Sequence, residues 1–352
     1  VTDDLDIVSA APGGHGDSYD NRTVRYAAGA DSPAGPWAVV NAASTQVPPP
    51  TADAAYYYDT GGTNPKPGSR HHYDHQIYDP ATRKVYLIGY LGTYPNGLSK
   101  NTIDGISVDS WVWDAPGTHP YCGTTAAVSG SNGVVVGVYH DKGTGKVFWQ
   151  ADDANLWEWV PGSATKTSRY TRFEGAYGGY GPFGVLPNRY PTCYDSDRSA
   201  IFGMQFNGGQ GGAPGSTLTA GIVFNPSNST PTASVITFNS SAAKTQLLAD
   251  LPAYAAIDYD RLRGRYVFLA GGTFNSAGAV STSDPFRLYD VIPNGGTTWD
   301  IDFTPVASTA VNPGSLASGG LNKRWHYIER GGVGGFILLM NVSGSLHFFR
   351  TT

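Results

Sequence analysis

The sequence predicts an all-β fold, a β-propeller, on three observations. One phrase recurs along the chain: Tyr, Asp, a short turn, a basic residue, then an apolar run. The composition favours strands and turns, and no segment carries the apolar stripe of an amphipathic helix, so almost no helix is expected. Copies of the phrase stand at Tyr78-Asp79 before Lys84-Val85-Tyr86-Leu87, at Tyr139-His140-Asp141 before Lys146-Val147-Phe148, and at Tyr194-Asp195 before Arg198 and Ile201-Phe202. Another stands at Tyr259-Asp260 before Arg265-Tyr266-Val267, and a worn copy puts Tyr327 before Phe336-Ile337-Leu338. These tyrosines lie 61, 55, 65 and 68 residues apart. A long period made of strand, tight turn and strand marks a radial array of β-sheets. Of 352 residues only 14% are charged, while 46 are Gly and 24 Pro, which suits a chain of short strands and many turns.

The repeat divides one domain, residues 1–352, into six blades, with seven also compatible. Blade one, 1–45, holds strands at Leu5 to Ser9, Thr23 to Ala27 and Trp37 to Val40. It lacks an opening strand, which the C-terminus would supply in a closed ring. A Pro/Gly-rich connection from Pro48 to Gly68 carries Tyr56-Tyr57-Tyr58, and connections of that length are commonly functional. Blade two, 66–117, ends in Trp111-Val112-Trp113; blade three, 121–165, ends in Leu156-Trp157-Glu158-Trp159. Blade four, 166–243, contains the insert Asn207 to Gly212, and blades five and six cover 246–308 and 318–352. Trp37, Trp111, Trp113, Trp157, Trp159 and Trp299 are expected to pack between adjacent blades, where a large ring fills a wedge that opens outward.

Bulk numbers exclude some partners. A net charge of −5 without a Lys/Arg run argues against nucleic acid, and no apolar run approaches a membrane-spanning length. Cys122 and Cys193 are either one disulfide or two buried thiols. Sequons at Asn21, Asn228, Asn239 and Asn341 arise readily by chance in so polar a chain. The start at Val1 reads as a processed product, and few Lys with many Gly and Tyr suggest an extracellular, secreted or particle-surface setting.

Three local phrases are more specific: Gly13-Gly14-His15-Gly16-Asp17, Ser69-Arg70-His71-His72-Tyr73 and Arg324-Trp325-His326-Tyr327. Together they resemble the bacterial and phage-associated kelch-like propellers, the group labelled galactose-oxidase-like, in which such phrases recur in this order. The resemblance implies a fold and leaves activity open, since propellers host hydrolases, lyases, oxidases and pure binders. Double glycines of the kelch kind survive at Gly13-Gly14 and Gly271-Gly272.

The densest chemical signal is Arg70-His71-His72-Tyr73-Asp74-His75. In a closed ring, blades one, two and six are neighbours, so His15, Arg70, His72, Arg324 and His326 would converge on one rim and hold an anionic or polyhydroxylated ligand. The alternative is that His15 and Arg70 are structural, each tying a loop carbonyl or carboxylate between blades. Zinc is disfavoured, because His71 and His75 in a strand lie about 13 Å apart. No cofactor motif occurs; calcium is the ion that Asp17, Asp20, Asp104, Asp152 and Asp153 suit best, although no spaced acidic calcium loop is present. Tyr139-His140 has the residue types of the ligand pair in copper radical oxidases, but Cys122 and Cys193 lack the cross-link context those enzymes need.

The leading expectation is a recognition propeller that binds a saccharide or polysaccharide, with Tyr177 and Tyr180 as stacking rings in Gly/Pro-rich segments. An alternative is a polysaccharide lyase, with a base and a neutralising cation drawn from His72, Tyr73, His140, Tyr190 and Arg189. A third is a structural subunit of a larger assembly, pairing with other protein subunits through the edge of the incomplete first blade. No Gly-x-Ser-x-Gly elbow and no phosphate loop is present.

Overall fold

The computed structural model describes residues 2, 6–10, 22–27, 37–42, 57–58, 66–67, 76–91, 100–122, 135–151, 156–170, 192–207, 217–227, 233–250, 256–271, 286–305, 325–339 and 346–351. The chain divides into two compact units, Val1–Arg172 and Phe173–Thr352.

The first unit opens with the sheet β1 (Asp6–Ala10), β2 (Thr23–Ala27) and β3 (Trp37–Asn41), followed by a two-stranded ribbon of β4 (Tyr57–Tyr58) and β5 (Lys66–Pro67). The next sheet is β6 (Gln76–Asp79), β7 (Lys84–Leu91) and β8 (Lys100–Ser107), extended by a bridge from Ile106 to Trp113. The last is β9 (Val135–Asp141), β10 (Lys146–Ala151), β11 (Leu156–Trp159) and β12 (Lys166–Tyr170). The sequence puts Lys166 to Tyr170 at the start of the fourth blade; instead β12 pairs with β11 and completes the third sheet.

The second unit runs through β13 (Thr192–Asp195), β14 (Ala200–Asn207), β15 (Thr217–Phe224) and β16 (Ala233–Phe238), then α1 (Ala242–Asp250). Next come β17 (Ala256–Asp260), β18 (Arg265–Gly271), β19 (Phe286–Ile292) and β20 (Thr298–Phe303), and finally β21 (Trp325–Arg330), β22 (Val333–Leu339) and β23 (Leu346–Arg350). Two parallel pairs, Thr237 with Thr298 and Phe238 with Trp299, join β16 to β20, so two four-stranded meanders form one eight-stranded sheet. Within each unit the first strands lie side by side: β6 beside β9, and β17 beside both β13 and β21. Consecutive antiparallel meanders packed first strand to first strand are β-propeller blades. The fold is all-β.

The helix α1 has no apolar stripe in its sequence because it buries only Ala243 and Leu247. Ser241 caps it, accepting from the Lys244 N–H at 2.9 Å. Its residues join Phe202, Phe268, Tyr289 and Trp299 in one core cluster, filling the wedge between the sheets of β13–β16 and β17–β20.

Strand alternation explains the core. Counting from the residue that closes each turn, odd positions of the second strand face the preceding sheet and even positions the following one. Val85 and Leu87 thus join the cluster with Ala10, while Tyr86 and Ile88 join the cluster with Trp149 and Trp159. Tyr266 and Phe268 pack toward Phe202, and Val267 and Leu269 toward Trp325 and Phe336. Two of the six tryptophans fill wedges between sheets by ring contact: Trp159 meets Tyr86 edge-on at 5.3 Å and Trp299 stacks on Phe202 at 5.4 Å. Trp113 is buried in the cluster with Ala10, and Trp111 receives the Arg25 guanidinium at 5.7 Å. Trp37 instead packs on Tyr26 of its own sheet, and Trp157 carries the Lys166 ammonium 3.4 Å above its ring. Cys122 and Cys193 are both buried free thiols.

Candidate functional site

The repeated aspartate is a turn latch. Asp79, Asp141, Asp195 and Asp260 each end a first strand, and each pairs across a four-residue turn with residue 84, 146, 200 or 265. All four side chains are buried and accept from their own turn. Asp79 takes the Thr82 N–H at 3.0 Å, Asp141 the Gly143 N–H at 3.0 Å, Asp195 the Asp197 and Arg198 N–H groups at 3.0 Å, and Asp260 the Arg263 N–H at 3.2 Å. The last turn residue is left-handed in every case, with φ of 50° at Arg83, 69° at Gly145, 49° at Ser199 and 64° at Gly264. The final sheet departs from the phrase: β21 and β22 close through Gly331-Gly332, both at positive φ, a two-residue hairpin that needs no carboxylate.

The next sheet then reaches back to the latch. Tyr266 donates its hydroxyl to Asp195 at 2.5 Å, Tyr259 donates to Asp197 at 2.6 Å, and Thr351 donates to Asp260 at 2.8 Å. Burial and the neighbouring carboxylates push the Tyr266 and Tyr259 hydroxyls far above their ordinary range, so both stay neutral donors. Arg263 spans Asp260 at 2.7 Å and Asp290 at 2.8 Å, and Arg265 adds a second cation on Asp290 at 2.9 Å. The worn copy at Tyr327 belongs to this scheme, since its hydroxyl receives the Leu262 N–H of the preceding turn at 3.4 Å.

His140 occupies the tyrosine position of its repeat and lies against the preceding turn in the first unit. Its Nδ1 lies 3.1 Å from the Tyr78 carbonyl and its Nε2 3.5 Å from Asp79, with the ring only 7% exposed. Burial holds the imidazole below its ordinary value, and the Asp79 carboxylate opposes that shift. The sequence names His140 as a candidate base; the structure places it in a latch between two sheets.

Strand direction gives each unit two unlike ends. The latched turns gather at one. From the other end leave 11–21, 43–75, 92–99, 123–134 and 152–155 in the first unit, and 208–216, 272–285, 306–324 and 340–345 in the second, while 28–36 and 228–232 leave from the turn end. β1 runs toward this end, as a second strand does, and Gln76 secures it there: the Gln76 amide accepts the Ala10 N–H at 3.1 Å and donates to the Ala10 carbonyl at 3.2 Å. Thus the segment with His15 and the segment with Arg70, His72 and Tyr73 leave from strand ends bonded to each other. Tyr177, Tyr180, Arg189 and Tyr190 lie in 171–191, between β12 and β13, and Arg324 directly precedes β21. All of these residues, with the Gly13 to Asp17 and Ser69 to Tyr73 motifs, lie outside the described residues. His326 is half-buried near the start of β21.

The sequence does not single out Arg287, Tyr289 and Asp250. Arg287 grips Asp250 at 2.7 and 2.8 Å, and Tyr289 donates to the same carboxylate. The separation of 37 positions between Asp250 and Arg287, and the absence of an apolar stripe in α1, leave no local signal for this pairing. Among the described residues no group of three His, Cys, Asp or Glu side chains could hold a metal ion, and no helix is long and apolar enough to cross a membrane.

No protein-family model matches the chain, and a comparison with curated proteins finds no match. Solved structures similar to it include a structural genomics protein of unknown function from Bacteroides thetaiotaomicron, at 12% identity and a TM-score of 0.47, covering 99% of this chain and 76% of that one. Another is an auxiliary nutrient binding protein from the same species, at 10% identity and a TM-score of 0.43, covering 95% and 71%. The N-terminal domain of Nup159 is similar at 7% identity and a TM-score of 0.44, covering 99% and 81%. The fold class rests on the chain's own sheets, not on these scores.

Proposed function

We propose that this chain is a recognition propeller of the kelch-like type, working outside the cell or on a particle surface, whose ligand is a saccharide. The observation that carries the reading is the division of labour between strand ends. At the turn end, Asp79, Asp195 and Asp260 are each met by a side chain of the next sheet, and Asp141 is held by its own turn. The segments richest in Tyr, Gly and His leave from the other end, and Gln76 ties together the strand ends that bear two of them. Aromatic faces suit sugar rings, and uncharged loops supply hydroxyl partners. His15, Arg70, His72, Arg324 and His326 are the proposed polar contacts, with Tyr177 and Tyr180 as stacking rings. The place of His140 in a latch weighs against it as the base of a lyase. A glycan array on the full chain tests the proposal. Binding to a defined saccharide class, weakened at least tenfold in Tyr177→Ala or Arg70→Ala, supports it. An array without binding, or the appearance of unsaturated uronates on incubation with acidic polysaccharides, overturns it.

A further inference from the structure

A second ionisable cluster lies apart from the latches, in the strap of residues 114–122 in the first unit. The strap leaves β8 through the Asp114 N–H, bonded to Gly105 at 2.8 Å, and returns to it as the Tyr121 carbonyl accepts the Ile103 N–H at 3.0 Å. Internal bonds from Gly117 to Cys122 and from Cys122 to His119 give it a fixed shape. The Tyr121 hydroxyl reaches the Ala164 carbonyl of the third sheet at 3.3 Å. The strap thus fills the wedge between the second and third sheets of its unit, and His119 sits at its centre, 6% exposed, 5.3 Å from the buried ring of Trp159.

The hydrogen-bond pattern sets the state of that imidazole. Nδ1 accepts the Tyr121 backbone N–H at 3.3 Å, so the neutral ring carries its hydrogen on Nε2. Nε2 is buried with no hydrogen-bond partner among the described residues. A second proton would have to sit on Nδ1, where it would face the Tyr121 N–H, two donors in one contact. The charged groups around the ring do not offset this. Asp104 of β8 already receives the Thr102 hydroxyl at 2.5 Å, Asp114 of the strap is paired with Lys84 of β7, and Lys84 itself repels a cation. Tyr86, Tyr121 and Cys122 also adjoin the strap, and burial pushes the Tyr86 hydroxyl up to about 12.

We propose that His119 is a pH-sensitive pin whose protonation in mild acid releases strap 114–122 from its wedge. Released, the imidazole is solvated and both nitrogens donate to water; seated, it must be neutral. Burial places the seated ring below its ordinary value of 6.5, so opening takes up a proton and becomes easier as pH falls below that value.

Hydrogen exchange of the full chain, followed in peptides covering 114–122 and corrected for intrinsic rates, tests the pin. From about pH 7.5 to about pH 5.5 the opening constant should rise, by up to about tenfold per pH unit below the ordinary histidine value. His119→Gln, which can still accept the Tyr121 N–H, should abolish the rise, whereas His140→Gln should keep it. NMR titration of His119 in the unmodified chain gives a second reading that needs no variant to fold. Strap protection that is flat with pH, a rise that survives His119→Gln, or a His119 midpoint at or above the ordinary value would overturn the proposal.

Discussion

The two units meet the same two demands with different chemistry. Each sets a group of the following sheet against a buried turn carboxylate, and each fills a wedge that widens away from the first strands. The second unit uses hydroxyls, Tyr266 on Asp195 and Thr351 on Asp260, and fills a wedge with α1. The first unit places an imidazole, His140, beside Asp79, and fills a wedge with a strap centred on His119. A hydroxyl donates at any physiological pH, whereas an imidazole changes its hydrogens near neutrality. The imidazoles at these two positions lie in the first unit, and mild acid is expected to act on them there.

The largest break in this contrast is expected from Arg263→Met. It leaves Asp260 and Asp290 with less compensation, and the cost should be about 3–5 kcal/mol, read by denaturant unfolding of the second unit. Tyr266→Phe keeps the ring stacked on Phe202 and removes the hydroxyl from Asp195, for a loss of about 1–3 kcal/mol that should not vary between pH 5 and pH 8. Next comes pH itself. Both His119 and His140 are held below their ordinary value, so the unfolded first unit binds more protons than the folded one just below that value. Its stability is fully present above about pH 6.5 and declines as pH falls below it. Exchange rates in β6–β9 should accordingly rise in mild acid while those in β13–β18 hold; equal rises in both would erase the contrast. The smallest effect is a gain. Ser199 holds φ at 49°, and Ser199→Gly should stabilise the Asp195 turn by about 1 kcal/mol, seen as a higher melting temperature.

Much of the fold is legible in the sequence because its signals are local. Asp79, Asp141, Asp195 and Asp260 close turns within their own hexapeptides, and the alternation of Val85, Tyr86, Leu87 and Ile88 marks a strand buried on both faces. The limits are equally specific. β12 carries polar residues that suit either neighbouring blade, and only its pairing with β11 assigns it. Periodicity does not announce the helix Ala242–Asp250, which buries two side chains; its local signals are the Ser241 cap and a run of the helix formers Ala, Lys, Gln and Leu. Of the candidate site, residue types and segments are readable, and strand direction adds the end from which each segment leaves.

The sequence by itself determined the repeat, the turn chemistry and the all-β class, since each depends on residues within a few positions of one another. Tertiary structure alone decided which side chain answers which carboxylate. Tyr266 and Asp195 are 71 residues apart, Thr351 and Asp260 are 91 apart, and His140 shares its place in the repeat with tyrosines. Whether such a residue is a base, a ligand contact or a latch depends on burial and on what faces it, and both arise only when neighbouring sheets pack.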